Sequence, residues 1–482
     1  MTIDTSNPDF IWVSPEGSDG DGSWERPFES IKTAIDKAEP GKSIILKQGT
    51  YTGDLTIEIS GSPERPVRII AEKDGTVEIA NSCWFLYDTS DLIISGLTFK
   101  DSPTGALSVV GSCNRNLFQS LRFSNCGSTD RASCTMYFGG TGGECNLIEN
   151  CVFEGPVQHT SSRTDKKHNI VALMISGGSD TFQTLKNYVV RKNRFSNYDF
   201  SLLVGSHDSP SDKQYGHIIE YNTISNCKTG IIVRCSDILI KGNKIENCSG
   251  SPVTIESGAG CIIESNRMIE CQGGIQIHDF GHSIINNCII RCKDSGIDVC
   301  GKSSSLNVAA SNLFIENNTC IDCGLDENTG FTIRIEPGTT SIIRKNLLFG
   351  KSKPYSITES IRDLRKNEVE ETALETHHHI SDNICNEPAA LDGFSVREIV
   401  FLNSESDDFQ NETGYGAQGW MLRAEGFNPD VDEYSGETDY LEASILEDEE
   451  GELIIPGKNG VGNPFASFYS EMFDTESVNE EE

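Results

Sequence analysis

The sequence is short of basic residues. It contains 39 lysines and arginines against 73 aspartates and glutamates, which gives a formal net charge of −34 at pH 7. A surface of this charge repels nucleic acids and anionic membranes, since both are negative themselves. We therefore expect neither as a partner. Part of the excess lies in residues 425–482, where 18 acidic residues accompany one lysine, which is typical of a solvated appendage or a partly disordered tail.

The sequence also lacks long apolar segments and a targeting segment. No apolar run approaches the roughly 18 residues that a membrane-spanning helix needs. Residues 1–5 contain neither the basic nor the apolar region of a secretory signal peptide. We therefore expect either a cytoplasmic protein or a secreted one whose signal is not part of this sequence.

Four strand-like segments begin at intervals of 22 residues, namely residues 230–234, 252–256, 274–278 and 296–300. A period in the low twenties is typical of a solenoid, in which each repeat buries its apolar face against its neighbours. Within each segment apolar and polar residues alternate, so they face opposite sides of a strand. The outward positions are Arg234, Glu256, His278 and Cys300, with Ile232, Thr254, Gln276 and Asp298 beside them. The pattern predicts an all-β fold, a single-stranded parallel β-helix with a mostly polar external stripe suited to an extended ligand.

A second repeated pattern places a cysteine five positions after an asparagine. The pairs are Asn222/Cys227, Asn243/Cys248, Asn266/Cys271, Asn287/Cys292 and Asn318/Cys323. We expect each asparagine to occupy a turn, to tolerate a left-handed backbone and to hydrogen-bond to the coils on either side. The chain has 17 cysteines, an odd number, and only one C-x2-C pair, so we predict reduced core thiols and no zinc site.

The repeats divide the chain into three parts. Residues 1–60 form an N-terminal cap and the first coil, with helical spacing at 27–38; residues 61–420 form the parallel β-helix; and residues 421–482 form the acidic appendage. Two polar insertions, at 155–167 and 205–217, swell their coils. Insertions in a solenoid usually gather on its binding face.

Short phrases at residues 49–51, 60–67 and 96–99 resemble the opening of right-handed parallel β-helix polysaccharide lyases. The chain most resembles the alginate lyase/chondroitinase B family, over roughly residues 10–350. That family carries a lysine, an Asn-Thr pair nine residues later, and an arginine at the end of the next strand. Lys213 and Arg234 match this pattern and its spacing.

The resemblance implies β-elimination at a uronic acid. A base removes the proton on C5, the oxygen on C4 departs, and a double bond remains. The resemblance identifies Lys213 as the base and Arg234 as the group that neutralises the adjacent carboxylate. Lysine is a poor base at its usual pKa of about 10.4, so burial and a neighbouring cation have to lower that pKa.

Family members that bind Ca²⁺ hold it with an asparagine and two glutamates. The corresponding positions here are Ser176, Ser206 and Asp208, so Asp208 is the one carboxylate left. Hard cations need several oxygen ligands. Either other oxygens complete a calcium site around Asp208, or no metal binds and His207 or Arg163 neutralises the substrate carboxylate.

The external stripe supplies the remaining candidates for contact with an acidic polysaccharide or oligosaccharide. They are Glu256, Gln276, His278, Asp298 and Arg334. Gln276 stands where the family has an arginine, which removes one cationic contact. A structural alternative for Arg234 and Glu256 is an ion pair stacked between coils, of small energetic consequence.

Two other functions fit the same scaffold. A glycoside hydrolase needs two carboxylates that flank the scissile bond, and Glu256, Asp279 and Asp298 are the candidates. A non-catalytic, adhesin-like carbohydrate-binding β-helix needs only the exposed stripe. A lyase requires in addition that Lys213 and Arg234 converge on one pocket.

Overall fold

The computed structural model of this chain describes most residues up to 349 and six short strands beyond. The described residues are 5–18, 20–128, 132–156, 169–177, 184–206, 214–300, 310–324, 332–336, 339–349, 355–357, 361–362, 369–370, 377–381, 383–385 and 394–396. The predicted acidic appendage, residues 421–482, lies outside them.

Three long parallel sheets run the length of the molecule, and each coil contributes one strand to each sheet. Sheet A contains β1 (Phe10–Ser18), β2 (Ser43–Leu46), β5 (Val67–Ala71), β8 (Leu92–Ser95), β11 (Leu117–Gln119), β14 (Leu147–Glu149), β18 (Val189–Arg191), β22 (Ile218–Glu220), β25 (Leu239–Lys241), β28 (Ile262–Glu264), β31 (Ser283–Ile285), β34 (Leu313–Glu316), β37 (Thr340–Arg344) and β42 (His377–Ser381). Sheet B contains β3 (Gly49–Thr52), β6 (Val77–Ala80), β9 (Leu97–Lys100), β12 (Arg122–Ser124), β15 (Val152–Glu154), β19 (Arg194–Ser196), β23 (Thr223–Ser225), β26 (Lys244–Glu246), β29 (Arg267–Ile269), β32 (Cys288–Ile290), β35 (Thr319–Ile321), β38 (Leu347–Phe349), β43 (Asn383–Cys385) and β44 (Phe394–Val396).

Sheet C contains β4 (Leu55–Ile57), β7 (Trp84–Tyr87), β10 (Leu107–Asn114), β13 (Ser133–Glu144), β16 (Ile170–Ile175), β20 (Phe200–Gly205), β24 (Thr229–Arg234), β27 (Val253–Ser257), β30 (Ile275–Ile277), β33 (Ile297–Val299), β36 (Ile333–Ile335) and β39 (Tyr355–Ile357), with β17 (Leu185–Lys186) and β21 (Gln214–Tyr215) at its side. Two further short strands, β40 (Ile361–Arg362) and β41 (Val369–Glu370), pair antiparallel. The predicted parallel β-helix is therefore the fold of the chain.

Inward side chains of equivalent strands stack directly on one another. In sheet C, Ile231, Val253, Ile275, Ile297 and Ile333 follow in register and are fully buried. This confirms the inward half of the 22-residue pattern. Sheet B adds a column of stacked phenylalanine rings at Phe99, Phe123, Phe153 and Phe195, with centroids 4.6 to 5.3 Å apart. Each coil thus buries its apolar face against its neighbours, which is how a solenoid is stabilised.

A buried asparagine ladder joins the coils between sheets A and B. Its members are Asn193, Asn222, Asn243, Asn266, Asn287, Asn318, Asn346 and Asn383, and a separate buried pair, Asn116 and Asn146, lies just before the sheet A strands β11 and β14. Asn243 is representative: its Oδ1 accepts the backbone N–H of Asn222, and its Nδ2 donates to the carbonyl of Ile219 and to Oδ1 of Asn266. The predicted hydrogen bonds to neighbouring coils are confirmed.

The expected left-handed backbone lies one residue earlier than the ladder. Tyr221, Ser265 and Asn286 have φ of 53°, 55° and 58°, and each directly precedes a ladder asparagine. Gly242 has the same role before Asn243, with φ 63°. The turn thus places its left-handed residue outside, which leaves the asparagine side chain directed into the core, where its amide meets the coils on both sides.

The cysteine column is a set of buried thiols. Cys227, Cys248, Cys271, Cys292 and Cys323 are buried, and the sixteen cysteines that the structure describes are free. Burial also raises the pKa of Cys151 and Cys261 to about 12, which keeps these groups protonated and unreactive. The prediction of reduced core thiols agrees with this arrangement.

The N-terminal segment contains less helix than its sequence predicts. Helix α1 covers only Ile31–Ile35, within the predicted 27–38, and Ser30 caps it by accepting a hydrogen bond from Thr33 N–H. Its apolar residues Ile31, Ala34 and Ile35 join the main core. No helix among the described residues is long and apolar enough to cross a membrane.

Candidate functional site

The described candidate residues gather on the outer face of sheet C. Thr254, Gln276, Asp298 and Arg334 lie side by side on β27, β30, β33 and β36, in unbroken parallel register. A second outward row holds Arg234 at the end of β24, then Glu256, His278 and Glu336. Neighbouring strands lie about 4.8 Å apart, so the two rows form a compact polar patch. The other candidates, Lys213, Asp208, His207 and Arg163, lie outside the described residues.

Arg234 is bound to Glu256 across one coil. Its Nε lies 2.6 Å from Glu256 Oε2, and both side chains are largely buried. The register of the sheet shifts at this point, so that the backbone of Arg234 pairs with Ser257 rather than with Glu256. The ion pair that the sequence offered as a structural alternative is therefore present. The negative charge of Glu256 offsets part of the positive charge of Arg234 that a substrate carboxylate would meet.

Arg334 is bound even more closely to Asp298. Nε donates to Oδ1 at 2.8 Å and Nη2 donates to Oδ2, while Nη2 also lies 3.6 Å from Glu336. Burial opposes the charged form of Arg334, but the two hydrogen bonds that it donates to Asp298, together with the negative charges of Asp298 and Glu336, outweigh burial and raise the arginine pKa. Asp298 is only 6% exposed. Asp298 and Arg334 are therefore bound to each other before any substrate is present.

His278 lies between the two ion pairs. Its Nδ1 is buried, and no described group hydrogen-bonds to it. Burial lowers the pKa of the imidazole, while Asp298, Glu336, Glu256 and Asp279 oppose that shift with their negative charge. The ring is therefore mainly neutral at pH 7 and able to accept a proton. The next outward position, Cys300, is buried rather than exposed on the stripe, and burial raises its pKa.

Two other histidines are structural and make the stability of the protein depend on pH. Nδ1 of His217 accepts the N–H of Tyr188, and Nδ1 of His282 accepts the N–H of Cys261. Burial lowers their pKa values to about 3 and about 4. Because an unfolded histidine has a pKa of about 6.5, protonation favours unfolding. Stability is complete above pH 6.5 and is lost progressively as the pH falls toward these folded-state values.

We expect the free energy of unfolding to fall by about 2 kcal/mol between pH 6.5 and 5.5 because of these two groups. Denaturant unfolding at both pH values measures the loss. The variant His217→Gln/His282→Gln cannot take up these protons, so its free energy of unfolding should lack this part of the slope against pH. An unchanged slope in that variant would assign the pH dependence to carboxylates instead.

A groove opens beside the Gln276 row. It has a volume of about 310 Å³ and is lined by Ser251, Gly273, Gly274, Gln276, Asp294, Ser295, Asp298 and Arg334. The sequence interpretation missed most of these residues. The 22-residue period also places small residues just before successive strands, at Ser251, Gly273 and Ser295. A column of small residues beside an outward polar row predicts an open groove, so the sequence did contain this signal.

Exposed aromatic side chains occupy the same sheet nearer the N-terminus. Phe85 and Tyr87 point outward from β7 and are 41% and 49% exposed. The alternation within residues 84–87 is consistent with these two outward positions, but the segment belongs to no regular repeat and the sequence analysis did not select it. They lie five strands from β24 along sheet C, so they belong to a separate part of the outer face.

No group of three or more metal-ligating side chains converges among the residues that the structure describes. Ser176, at the position of the family's calcium-binding asparagine, is buried, and its hydroxyl donates to the carbonyl of Gly177 at 3.4 Å. Its oxygen is committed to the local turn. The described part of this site therefore offers ion pairs, an amide and an imidazole.

Comparison with known proteins places this architecture among β-helix proteins. Residues 171–324 match a family model described as a right-handed β-helix region. Over 72 residues, 14% of the chain, the sequence is 40% identical to the pectate lyase PEL9 of Emericella nidulans (strain FGSC A4), and this segment covers 18% of that protein.

Solved structures share the fold over most of the chain. The PL6 family alginate lyase AlyGC superimposes with a TM-score of 0.61 and 18% identity over 85% of this chain and 56% of that one. A PL6 alginate lyase in complex with a trisaccharide superimposes with a TM-score of 0.54 and 17% identity, over 86% of this chain and 93% of that one. At these identities the likeness concerns the fold. The chain is a right-handed parallel β-helix that resembles polysaccharide lyases, and it spans little more than half the length of AlyGC.

Proposed function

We propose that this protein is a polysaccharide lyase that cleaves a uronic-acid-containing, alginate-like polymer by β-elimination. The observation that carries the proposal is the position of Arg234, at the end of an outward-facing strand of a lyase-like β-helix, where Glu256 holds its Nε. Gln214, which follows Lys213 in the chain, accepts the backbone N–H of Ser236 at 3.1 Å, two residues beyond Arg234. The described chain thus resumes at Gln214, one residue after Lys213, against the coil that carries Arg234.

Each residue has a defined role in the proposed reaction. Lys213 accepts the C5 proton of the uronate, the electrons of the C5–H bond form the C4–C5 double bond, and the C4–O bond breaks. The leaving oxygen takes up a proton. Arg234 donates hydrogen bonds to the uronate carboxylate and stabilises the negative charge that develops there. Glu256 fixes the arginine through Nε, which leaves the terminal nitrogens of Arg234 for the substrate.

Metal is not required in this scheme. Asp208 is the one carboxylate at the family's calcium-ligand positions, and a single carboxylate is a weak site for a hard cation. His207 and Arg163 remain the proposed alternatives for neutralising the substrate. We therefore expect that a chelator leaves the activity intact.

A carbohydrate-binding protein without catalysis is the second candidate. It is favoured by one observation, namely that both arginines of the described patch are already paired with carboxylates. The same pairing disfavours a glycoside hydrolase, because Glu256 and Asp298 are held by arginines rather than left to flank a scissile bond.

The two candidates are separated by absorbance in the near ultraviolet, where the unsaturated product of β-elimination absorbs. Wild-type protein is incubated with alginate blocks, pectate, glucuronan and chondroitin, each with and without chelator. The proposal expects a steady rise on at least one polymer, with equal rates in both arms. A flat trace on every polymer, together with retained binding in a pull-down, would leave the binding protein as the better account.

A further inference from the structure

The groove beside Gln276 differs in charge from a site for uronic acids. Of its lining residues, Asp294, Asp298 and Arg334 are charged. Arg334 donates two hydrogen bonds to Asp298 and lies 3.6 Å from Glu336, so its charge is balanced within the protein. Asp294 accepts a hydrogen bond from the neutral amide of Gln272 at 3.2 Å. The described lining is therefore net negative.

A uronate carboxylate in this groove would meet like charge. Two negative charges about 4 Å apart repel each other, and they do so more strongly near a protein surface than in bulk water. Gln276, at the centre of the outward row, supplies a neutral amide where the resembling family has an arginine. No described group on the groove offers the unpaired cation that a carboxylate requires.

The same groove suits the hydroxyl groups of an uncharged sugar. Gln276 both donates and accepts hydrogen bonds, Asp294 and Asp298 accept them, and the hydroxyls of Ser251 and Ser295 do both. Gly273 and Gly274 form a flat wall: a Cβ on Gly274 would lie 1.7 Å from the carbonyl oxygen of Gly296, so no side chain fits there. The volume of about 310 Å³ is at the lower end for a small-molecule site.

We propose that this groove binds an uncharged sugar residue, and hence that the substrate carries uncharged sugars next to its uronic acids. This inference rests on the proposed elimination at a uronic acid and replaces the alginate-like substrate by a mixed polymer, because alginate has a uronic acid at every position. Arg234 lies two coils from Gln276 along sheet C, so a polymer bound at the reacting position is long enough to reach the groove as well.

The test measures binding rather than cleavage. Calorimetry in the Lys213→Ala background, with chelator present, compares an alginate hexasaccharide with a hexasaccharide of the rhamnogalacturonan backbone, in which galacturonate alternates with uncharged rhamnose. We expect the alternating probe to bind at least tenfold more tightly. The variant Gln276→Arg should reduce this preference about tenfold by improving binding of the alginate probe, whereas Ser225→Arg, which adds the same charge on sheet B, should leave it unchanged.

Three results would overturn the assignment. They are equal or tighter binding of the alginate probe, an unchanged preference in Gln276→Arg, and tight alginate binding that appears on addition of Ca²⁺, which would mean that a cation bridges uronate to Asp294 and Asp298. Since binding is measured without turnover, these results are independent of whether the wild-type protein is a lyase. A failed absorbance assay with a retained preference would reject the lyase and keep the groove assignment.

Discussion

Lys213→Ala is expected to lower kcat/KM for cleavage of the polymer, measured by formation of the unsaturated product, about a thousandfold. A positioned general base contributes roughly 10² to 10⁴ to the rate of proton transfer, and alanine leaves the C5 proton without an acceptor. The assay is the near-ultraviolet rise on the best polymer from the panel. Binding of that polymer should change little, because the base acts mainly in the transition state.

The matched control is Lys241→Ala. Lys241 lies on β25 in sheet A, with an exposed ion pair to Glu264 at 3.5 Å, and its loss should leave the rate unchanged. Arg234→Lys tests the second role: lysine keeps the charge but lacks the planar fork that can hold Glu256 and a carboxylate together. Equal activity of wild type and Lys213→Ala would remove Lys213 from the mechanism and direct attention to His278 as the base.

Asn266→Ala is expected to lower the free energy of unfolding by about 4 kcal/mol, because it leaves buried polar groups without partners. Oδ1 of Asn266 accepts hydrogen bonds from the backbone N–H and from Nδ2 of Asn243, both at 2.9 Å. Its Nδ2 donates to the carbonyl of Ile240 and to Oδ1 of Asn287. The backbone N–H of Asn243 and the carbonyl of Ile240 lose these partners away from water, whereas Nδ2 of Asn243 and Oδ1 of Asn287 keep other hydrogen bonds.

Denaturant unfolding followed by circular dichroism measures this loss. Lys244→Ala is the control, since Lys244 is the neighbour of Asn243 but has only a partly exposed ion pair with Glu246, and it should change the stability by less than about 0.5 kcal/mol. A loss below about 1 kcal/mol in Asn266→Ala would show that core packing, rather than the amide ladder, stabilises the coils.

The sequence predicts the regular coils of this molecule well because equivalent residues recur at equal intervals and make equivalent contacts. Equal spacing places Ile231, Val253 and Ile275 in one column, and the Arg234–Glu256 pair follows from a separation of 22 residues, one full coil. Asp298 and Arg334 are 36 residues apart, since an insertion lengthens that coil. Their register, and therefore their bidentate pair, was not readable from the spacing.

The candidate site was predictable only in part for the same reason. The outward stripe lies on one sheet as predicted, except that Cys300 is buried, and the Asp298–Arg334 pair depends on geometry that the spacing does not show. The groove depends on small residues that carry no charge pattern. In the shorter helix α1, Ile31, Ala34 and Ile35 are buried in the core, whereas Phe28 and Ala38 pack against the core from outside the helix and are only partly buried.

The most direct test of the central claim is the mass of the products from a single defined oligosaccharide. Elimination redistributes the atoms of the substrate, so the masses of the two fragments should sum to the mass of the substrate, with one fragment unsaturated. Hydrolysis adds one water to that sum. The account predicts the first result; fragments whose masses include the extra water would contradict it and identify a hydrolase on this scaffold.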